Sequence, residues 1–265
     1  MSLYVETHGQ GSDLVLIHGW GMHGGVWQPL LRRLTPYFRL HVVDLPGMGY
    51  SKPQEHGQLQ AYAEAVAAVV PAGADICGWS LGGTIAMRLA LLRPDLMRCL
   101  VLVGATPCFT NRPASPQETA WTDGVDEHVF RQFASQVAQD YQATLIKFLT
   151  LQCMGADNGR ATVKQLRESF AARPVPTMES LQRALRILLE NDLRTEVGQL
   201  RLPALVIHGD RDSLAPVEAG RWLAQHLPAG GLRVIAGASH APFLSHPEAF
   251  TEALLQFLQP ASAIA

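Results

Sequence analysis

The stretch Gly78-Trp-Ser80-Leu-Gly82-Gly83 constrains this chain more than any other. It follows residues 74–77, an apolar run of strand length, and precedes residues 84–92, which read as a helix. A strand that becomes a helix within so few residues must pass through a sharp, strained bend. Bulk beside the bend would clash, and glycine stands at 78 and 82. The apical Ser80 then presents its hydroxyl at a helix N-terminus, where the dipole favours developing negative charge. G-x-S-x-G between a strand and a helix therefore points to a nucleophilic serine. The bare five-residue pattern arises often by chance; the strand–turn–helix context does not.

The neighbouring sequence supplies the frame. Residues 14–17, 40–43, 74–78 and 100–103 are short apolar runs, suited to strands covered on both faces. Helix-like stretches at 59–70 and 84–92 lie between several of them. After Pro203 the rhythm returns, with strands at 204–208 and 232–235 and helices at 217–225 and 248–258. This predicts an α/β fold on a mostly parallel, doubly wound sheet. The middle differs. Val129, Phe133, Val137, Tyr141, Leu145 and Leu149 recur every fourth residue, a helical period over 129–151. Leu181, Leu185, Leu188 and Leu189 mark another helix, and Pro174 and Pro176 separate the two. The expected layout is a core of residues 1–108 and 201–265, with residues 109–200 inserted as a helical lid.

Composition excludes several function classes. With 48% hydrophobic residues and a net charge of −2, the chain is neither disordered nor cationic enough to neutralise nucleic-acid phosphates. Its apolar runs fall far short of the ~20 residues of a membrane helix. Residues 1–8 lack the basic and apolar stretches of a signal peptide. Cys77, Cys99, Cys108 and Cys153 have no disulfide or metal spacing and are expected to be reduced. A cytoplasmic, monomeric protein is expected, with no membrane association. No H-E-x-x-H, P-loop or dinucleotide fingerprint occurs, so neither metal nor cofactor is expected.

A serine hydroxyl is a weak nucleophile and needs an adjacent base. Candidates lie just beyond the two late strands, where an open α/β sheet builds its sites. Asp212 stands in Gly209-Asp-Arg-Asp212, and His240 in Gly237-Ala-Ser-His240-Ala-Pro. His240 is expected to take the Ser80 proton and return it to the leaving alcohol, and Asp212 to fix the imidazole tautomer. Asp210 is the rival acid, read as a turn former. His8, His41, His56, His128, His208 and His226 read as surface or packing residues, and His246 as structural. The oxyanion of acyl transfer needs backbone donors. Leu81 N–H, next to the nucleophile, is one. Trp20 N–H, in His18-Gly-Trp-Gly21 after the first long strand, is the other, and its indole can also wall an acyl pocket. Cys77 and Cys153 read as small buried apolar residues.

Together with Asp44-Leu-Pro-Gly-Met-Gly-Tyr-Ser51 and Ser239-His-Ala-Pro-Phe243, these motifs resemble the α/β-hydrolase superfamily over about residues 3–258. Trp20, Trp79, Phe148-Leu-Thr-Leu-Gln-Cys-Met-Gly155 and the run from Ser239 to Pro247 resemble, within it, the carboxylesterases that hydrolyse pimeloyl-[acyl-carrier protein] methyl ester in biotin synthesis. The resemblance implies an acyl ester substrate contacted by Trp20, Ser80, Leu81, Phe148, Leu149, Thr150, Leu151, Gln152 and His240. It also implies an acidic acyl-carrier protein as partner, docked on Lys147, Arg160 and Lys164. Residues 142–186 hold seven cations and three anions, a net +4 that leaves −6 for the rest. Arg160, Lys164 and Arg167 share a helix face by spacing, although a solvated face would show the same pattern. Ala143, a turn before Lys147, adds no charge. The same serine constellation serves general short-chain carboxylesterases, lactonases, thioesterases, C–C bond hydrolases and haloperoxidase-like enzymes, so fold alone does not fix the reaction. A non-catalytic receptor would often lack one of the elements found here.

Overall fold

A computed structural model of the chain describes residues 2–55, 57–116 and 119–259; His56 lies outside them. The strands are β1 Val5–His8, β2 Ser12–Ile17, β3 Phe38–Val43, β4 Ala74–Trp79, β5 Met97–Val103, β6 Ala204–Gly209 and β7 Gly230–Ile235. They form one sheet in the order β1-β3-β2-β4-β5-β6-β7. Every neighbouring pair is parallel except β1 with β3. The helices are α1 Gln28–Leu34, α2 Leu59–Ala67, α3 Leu81–Leu92, α4 Glu127–Gln139, α5 Tyr141–Leu151, α6 Gly159–Ala171, α7 Met178–Glu190, α8 Val217–His226, α9 Pro242–Ser245 and α10 Pro247–Leu258.

Alternate residues of a strand face opposite ways, and both faces of the central strands are apolar. Val15, Ile17, Leu100 and Leu102 pack in one core with Leu59 and Tyr62 of α2, Ile85 and Leu89 of α3 and Leu223 of α8. Leu14, Leu16, Val101 and Val103 pack in a second core with Leu30 and Leu34 of α1 and Phe250 and Leu254 of α10. Each such side chain contributes about 1.5–3 kcal/mol on burial, so the doubly covered sheet is the main source of stability. It explains why uniformly apolar runs, rather than alternating ones, mark these strands. The short edge strand β1 and the helix α1 have weaker patterns and were not expected from the sequence.

Between β5 and β6 lie α4 to α7. The fourfold apolar repeat over 129–151 is divided between two helices. The break falls at Asp140 (φ −145°, ψ 84°), whose carboxylate accepts the Ala143 N–H at 3.1 Å. Aspartate is a poor interior helix residue and a good N-cap, so local chemistry overrides the continuous period. These helices reach both cores: Phe130, Phe148, Leu181 and Leu185 join the first, and Leu149, Cys153 and Leu166 the second. An ion pair also ties them to the sheet. Arg173 Nη1 lies 2.8 Å from Asp44 Oδ1, and Nη2 lies 2.8 Å from Glu6 Oε2. Asp44 is wholly buried and also accepts the Gly24 and Tyr50 N–H groups. Extra hydrogen bonds of this kind are what a buried pair needs to offset its desolvation. Among the described residues no helix is long and apolar enough to cross a membrane.

Candidate active site

Ser80, at the turn from β4 to α3, adopts φ +54° and ψ −118°. It is the only non-glycine residue with positive φ among the described residues. Such a conformation costs on the order of 1–3 kcal/mol and persists only where neighbours over-determine it. Here Ser80 N–H donates to Val103 O at 2.9 Å, and Ser80 O accepts from Gly83 and Thr84 at 2.8 and 3.1 Å. A Cβ at Gly78 would sit 2.4 Å from Gly82 O, and one at Gly82 would sit 2.4 Å from Ile17 O. The glycines let the bend press against the end of β2. The Ser80 side chain does not cap α3.

Asp212 and His240 follow β6 and β7. Asp212 Oδ1 accepts the Leu214 and Ala215 N–H groups, each at 2.9 Å. Its Oδ2 meets His240 Nδ1 at 2.8 Å, and both side chains are buried. Burial pushes the Asp212 pKa up, but the neighbouring His240 and His208 imidazoles and the hydrogen bond from His240 outweigh it, and the carboxyl stays well below the usual range. An ionised acceptor at Oδ2 places the proton on His240 Nδ1, which leaves a lone pair on Nε2. Among the described residues Nε2 is buried without a hydrogen-bond partner, so it makes no bond to Ser80 Oγ. The His240 backbone is clamped on both sides: its N–H donates to Gln152 O at 3.1 Å, and its C=O accepts from Trp79 Nε1 at 2.8 Å. Asp210 is exposed and accepts the Gly237 N–H at 2.8 Å, a turn brace away from His240. His246 Nδ1 lies 2.9 Å from Ser245 Oγ, outside this group.

The loop after β2 lies against the elbow, since a Cβ on Gly19 would be 3.2 Å from Ser80 Cβ. His18 fixes that loop: Leu45 N–H donates to its Nε2 at 2.9 Å, so Nδ1–H donates to Gly19 O at 2.8 Å. Neither the Trp20 nor the Leu81 backbone N–H has a protein acceptor among the described residues. The Trp20 indole donates to Leu181 O at 2.9 Å, and its ring meets Phe148 edge-on at 4.9 Å and Phe133 at 5.5 Å. Beyond this aromatic wall lies an apolar cavity of about 190 Å³, lined by Val129, Phe130, Phe133, Phe148, Leu151 and Leu214 among others. Ser213 and Leu214, which also line it, directly follow Asp212 in the chain.

The run 148–152 is divided by helix geometry, at 3.6 residues per turn. Phe148 and Leu151 line the cavity. Leu149 packs in the second core, and Thr150 is exposed, with Oγ1 bonded to Ile146 O at 3.2 Å. Gln152 is buried, and its Nε2 has no partner among the described residues. Val129, Phe130, Phe133 and Leu214 were missed as cavity residues, although Val129 and Phe133 belong to the helical period that the sequence does show. Burial raises the Cys77 thiol far above its usual pKa and pushes Cys153 up to about 12, so neither is a thiolate at neutral pH. Of the cations, Arg173 is buried in its ion pair and Arg183 bonds Gln54 O and Glu179. Lys147, Arg160, Lys164 and Arg167 are exposed, with Lys164 3.8 Å from Glu168.

A family profile described as the alpha/beta hydrolase fold matches residues 14–247. The chain belongs to this family. The order Ser80, Asp212, His240 along an α/β-hydrolase chain is the family's own order of nucleophile, acid and base. Among curated relatives, a pimeloyl-[acyl-carrier protein] methyl ester esterase of Nitrosomonas europaea is 43% identical, over 94% of this chain and 96% of the relative. One of Aeromonas salmonicida with the same name is 41% identical, over 97% of this chain and all of the relative. Among solved α/β-hydrolase structures, an esterase from Exiguobacterium antarcticum superposes with a TM-score of 0.85 at 23% identity, covering 96% of this chain and 94% of that one.

Proposed function

We propose that this α/β-hydrolase is a serine carboxylesterase that removes the methyl ester of pimeloyl-[acyl-carrier protein], releasing methanol and the free carboxylate, a step of biotin synthesis. The observation that carries the reading is His240: Asp212 holds its Nδ1 at 2.8 Å, and its Nε2 is buried and unpartnered beside a strained serine elbow. Full-length relatives of that name at about 40% identity support the substrate. Ser80 Oγ attacks the ester carbonyl carbon as its proton passes to His240 Nε2. The tetrahedral oxyanion takes hydrogen bonds from Trp20 N–H and Leu81 N–H. It collapses as the C–O bond to methanol breaks, with the His240 proton going to the leaving oxygen. Water then attacks the acyl-enzyme, giving its proton to His240, and the carboxylate leaves as that proton returns to Ser80.

In this reading the acyl chain lies in the cavity behind Trp20, against Phe133, Phe148 and Leu151. The helices of residues 109–200 act as a lid, and Lys147, Arg160 and Lys164 on its outer side receive the acidic carrier. The protein works as a cytoplasmic monomer, without a cofactor. The test is methanol release from pimeloyl-carrier methyl ester and from the free methyl ester, by the wild type and Ser80→Ala. The expected result is turnover of the carrier-linked ester at a lower KM than the free one, and no turnover of either by the variant. Undiminished hydrolysis by Ser80→Ala overturns the mechanism, and equal KM values overturn the carrier as partner.

A further inference from the structure

His208 lies beside the proposed triad and takes no part in its proton transfers. It is the penultimate residue of β6, and its side chain is wholly buried. Nε2 lies 2.7 Å from Ala215 O and 3.5 Å from Asp212 Oδ2, the oxygen that meets His240. The first distance is a hydrogen bond, so Nε2 carries a proton, and the same N–H dipole faces the carboxylate. Ala215 in turn gives its own N–H to Asp212 Oδ1 at 2.9 Å. Ala215 is therefore held from two sides, its N–H by the acid and its C=O by His208.

The other ring nitrogen, Nδ1, is buried with no partner among the described residues. It faces Gly220 of α8, where a Cβ would lie 2.5 Å away. A buried polar atom left without a partner is costly. An apolar side chain would fill the space without that cost, so packing alone does not account for a histidine. What the imidazole supplies is the donor at Nε2.

Resting on the triad reading above, we propose that His208 is a positioning residue, whose Nε2–H fixes the turn of residues 212–215 and thereby aims Asp212 at His240. Without that donor the Ala215 carbonyl is left unpaired and the cage around Asp212 relaxes. Misplacement of about 1 Å by a change away from the reacting atoms costs up to about 100-fold in rate. Because Ser213 and Leu214 of the same turn line the acyl cavity, the assay uses p-nitrophenyl acetate, whose acyl group is too short to fill it.

The experiment compares His208→Leu, which removes the donor, with His208→Gln, whose amide nitrogen substitutes for Nε2. Leucine is expected to lower kcat roughly 10- to 100-fold with KM within about twofold, and glutamine to stay within about threefold of wild type. The downfield proton resonance of His240 Nδ1–H is expected to move in the leucine variant and hold in the glutamine one. A leucine variant that melts at a lower temperature but keeps its kcat and that resonance overturns the proposal. If the leucine variant does not fold, Gly220→Ala, which presses on the ring at Nδ1, decides instead: reduced kcat with a moved resonance supports His208, and an unchanged pair overturns it. Ser80→Ala assayed in parallel separates the two readings. Activity surviving there overturns the triad itself, whereas its loss beside an unaffected His208→Leu overturns His208 alone.

Discussion

Trp79 shows what a single residue can do across the whole chain. Its indole is fully buried and donates to the carbonyl of His240, 161 positions away. Trp79→Phe keeps most of the ring and removes the donor. In the triad reading it lets the base drift without touching the acyl cavity, so kcat for p-nitrophenyl acetate is expected to fall about tenfold at unchanged KM. Steady-state kinetics beside a melting curve checks this, and an unchanged kcat would show the bond to be structural only. The placing of Ser80, Asp212 and His240 at the ends of strands was legible because each rides on a local motif there. The contacts of Trp79 and His208 were not, because a hydrogen bond across distant segments leaves no local pattern. The division of the run 148–152 was not legible either: Phe148, Leu149 and Leu151 look alike in sequence, and only the helix direction separates Phe148 and Leu151 from Leu149.

At the scale of elements, the loop after β2 and the connection after α6 are each held by a buried polar group. Burial lowers the His18 pKa from 6.5 to about 4. Its folded value lies below its unfolded one, so the unfolded chain binds the proton first as pH falls. The stabilisation is therefore present above about pH 6.5 and is lost as pH falls towards 4. It amounts to a few kcal/mol, since each tenfold difference in proton affinity between the folded and unfolded chain is worth about 1.4 kcal/mol. Urea denaturation at pH 7 and pH 5 is expected to show the loss, and His18→Gln to flatten it; an equal slope in the variant would remove His18 as the cause. Arg173 is the other case. Arg173→Met leaves Asp44 buried without its cation, and breaking a buried pair from one side typically costs about 3–5 kcal/mol. Chemical denaturation measures the cost, and a change below about 1 kcal/mol would place Asp44 in reach of water. Arg173 is one of the seven cations counted over residues 142–186, and one-dimensional charge counting has no access to its burial. The helix-breaking Asp140 was similarly hidden by the apolar period that runs through it.

For the molecule as a whole, a net charge of −2 suggests indifference to charged partners. The fold distributes that charge unevenly. Arg173 and Arg183 are neutralised internally, while Lys147, Arg160, Lys164 and Arg167 stay exposed on α5 and α6. Exposed cations on these helices suit an acidic protein better than a small ester, which carries no charge to be steered. Exposed charges act over about 8 Å at physiological salt and mainly raise the encounter rate. The double change Arg160→Glu and Lys164→Glu is therefore expected to raise KM for the carrier-linked ester roughly tenfold, with p-nitrophenyl acetate untouched. Raising salt to ~1 M, where the screening length is about 3 Å, is expected to mimic the effect in the wild type and to add little in the variant. Both changes leave Ser80, Asp212 and His240 alone, so a parallel loss on the two substrates would mean that α6 supports the site rather than the partner. A rise confined to the carrier-linked ester, erased by salt, would place recognition on these helices and chemistry on the sheet beneath them.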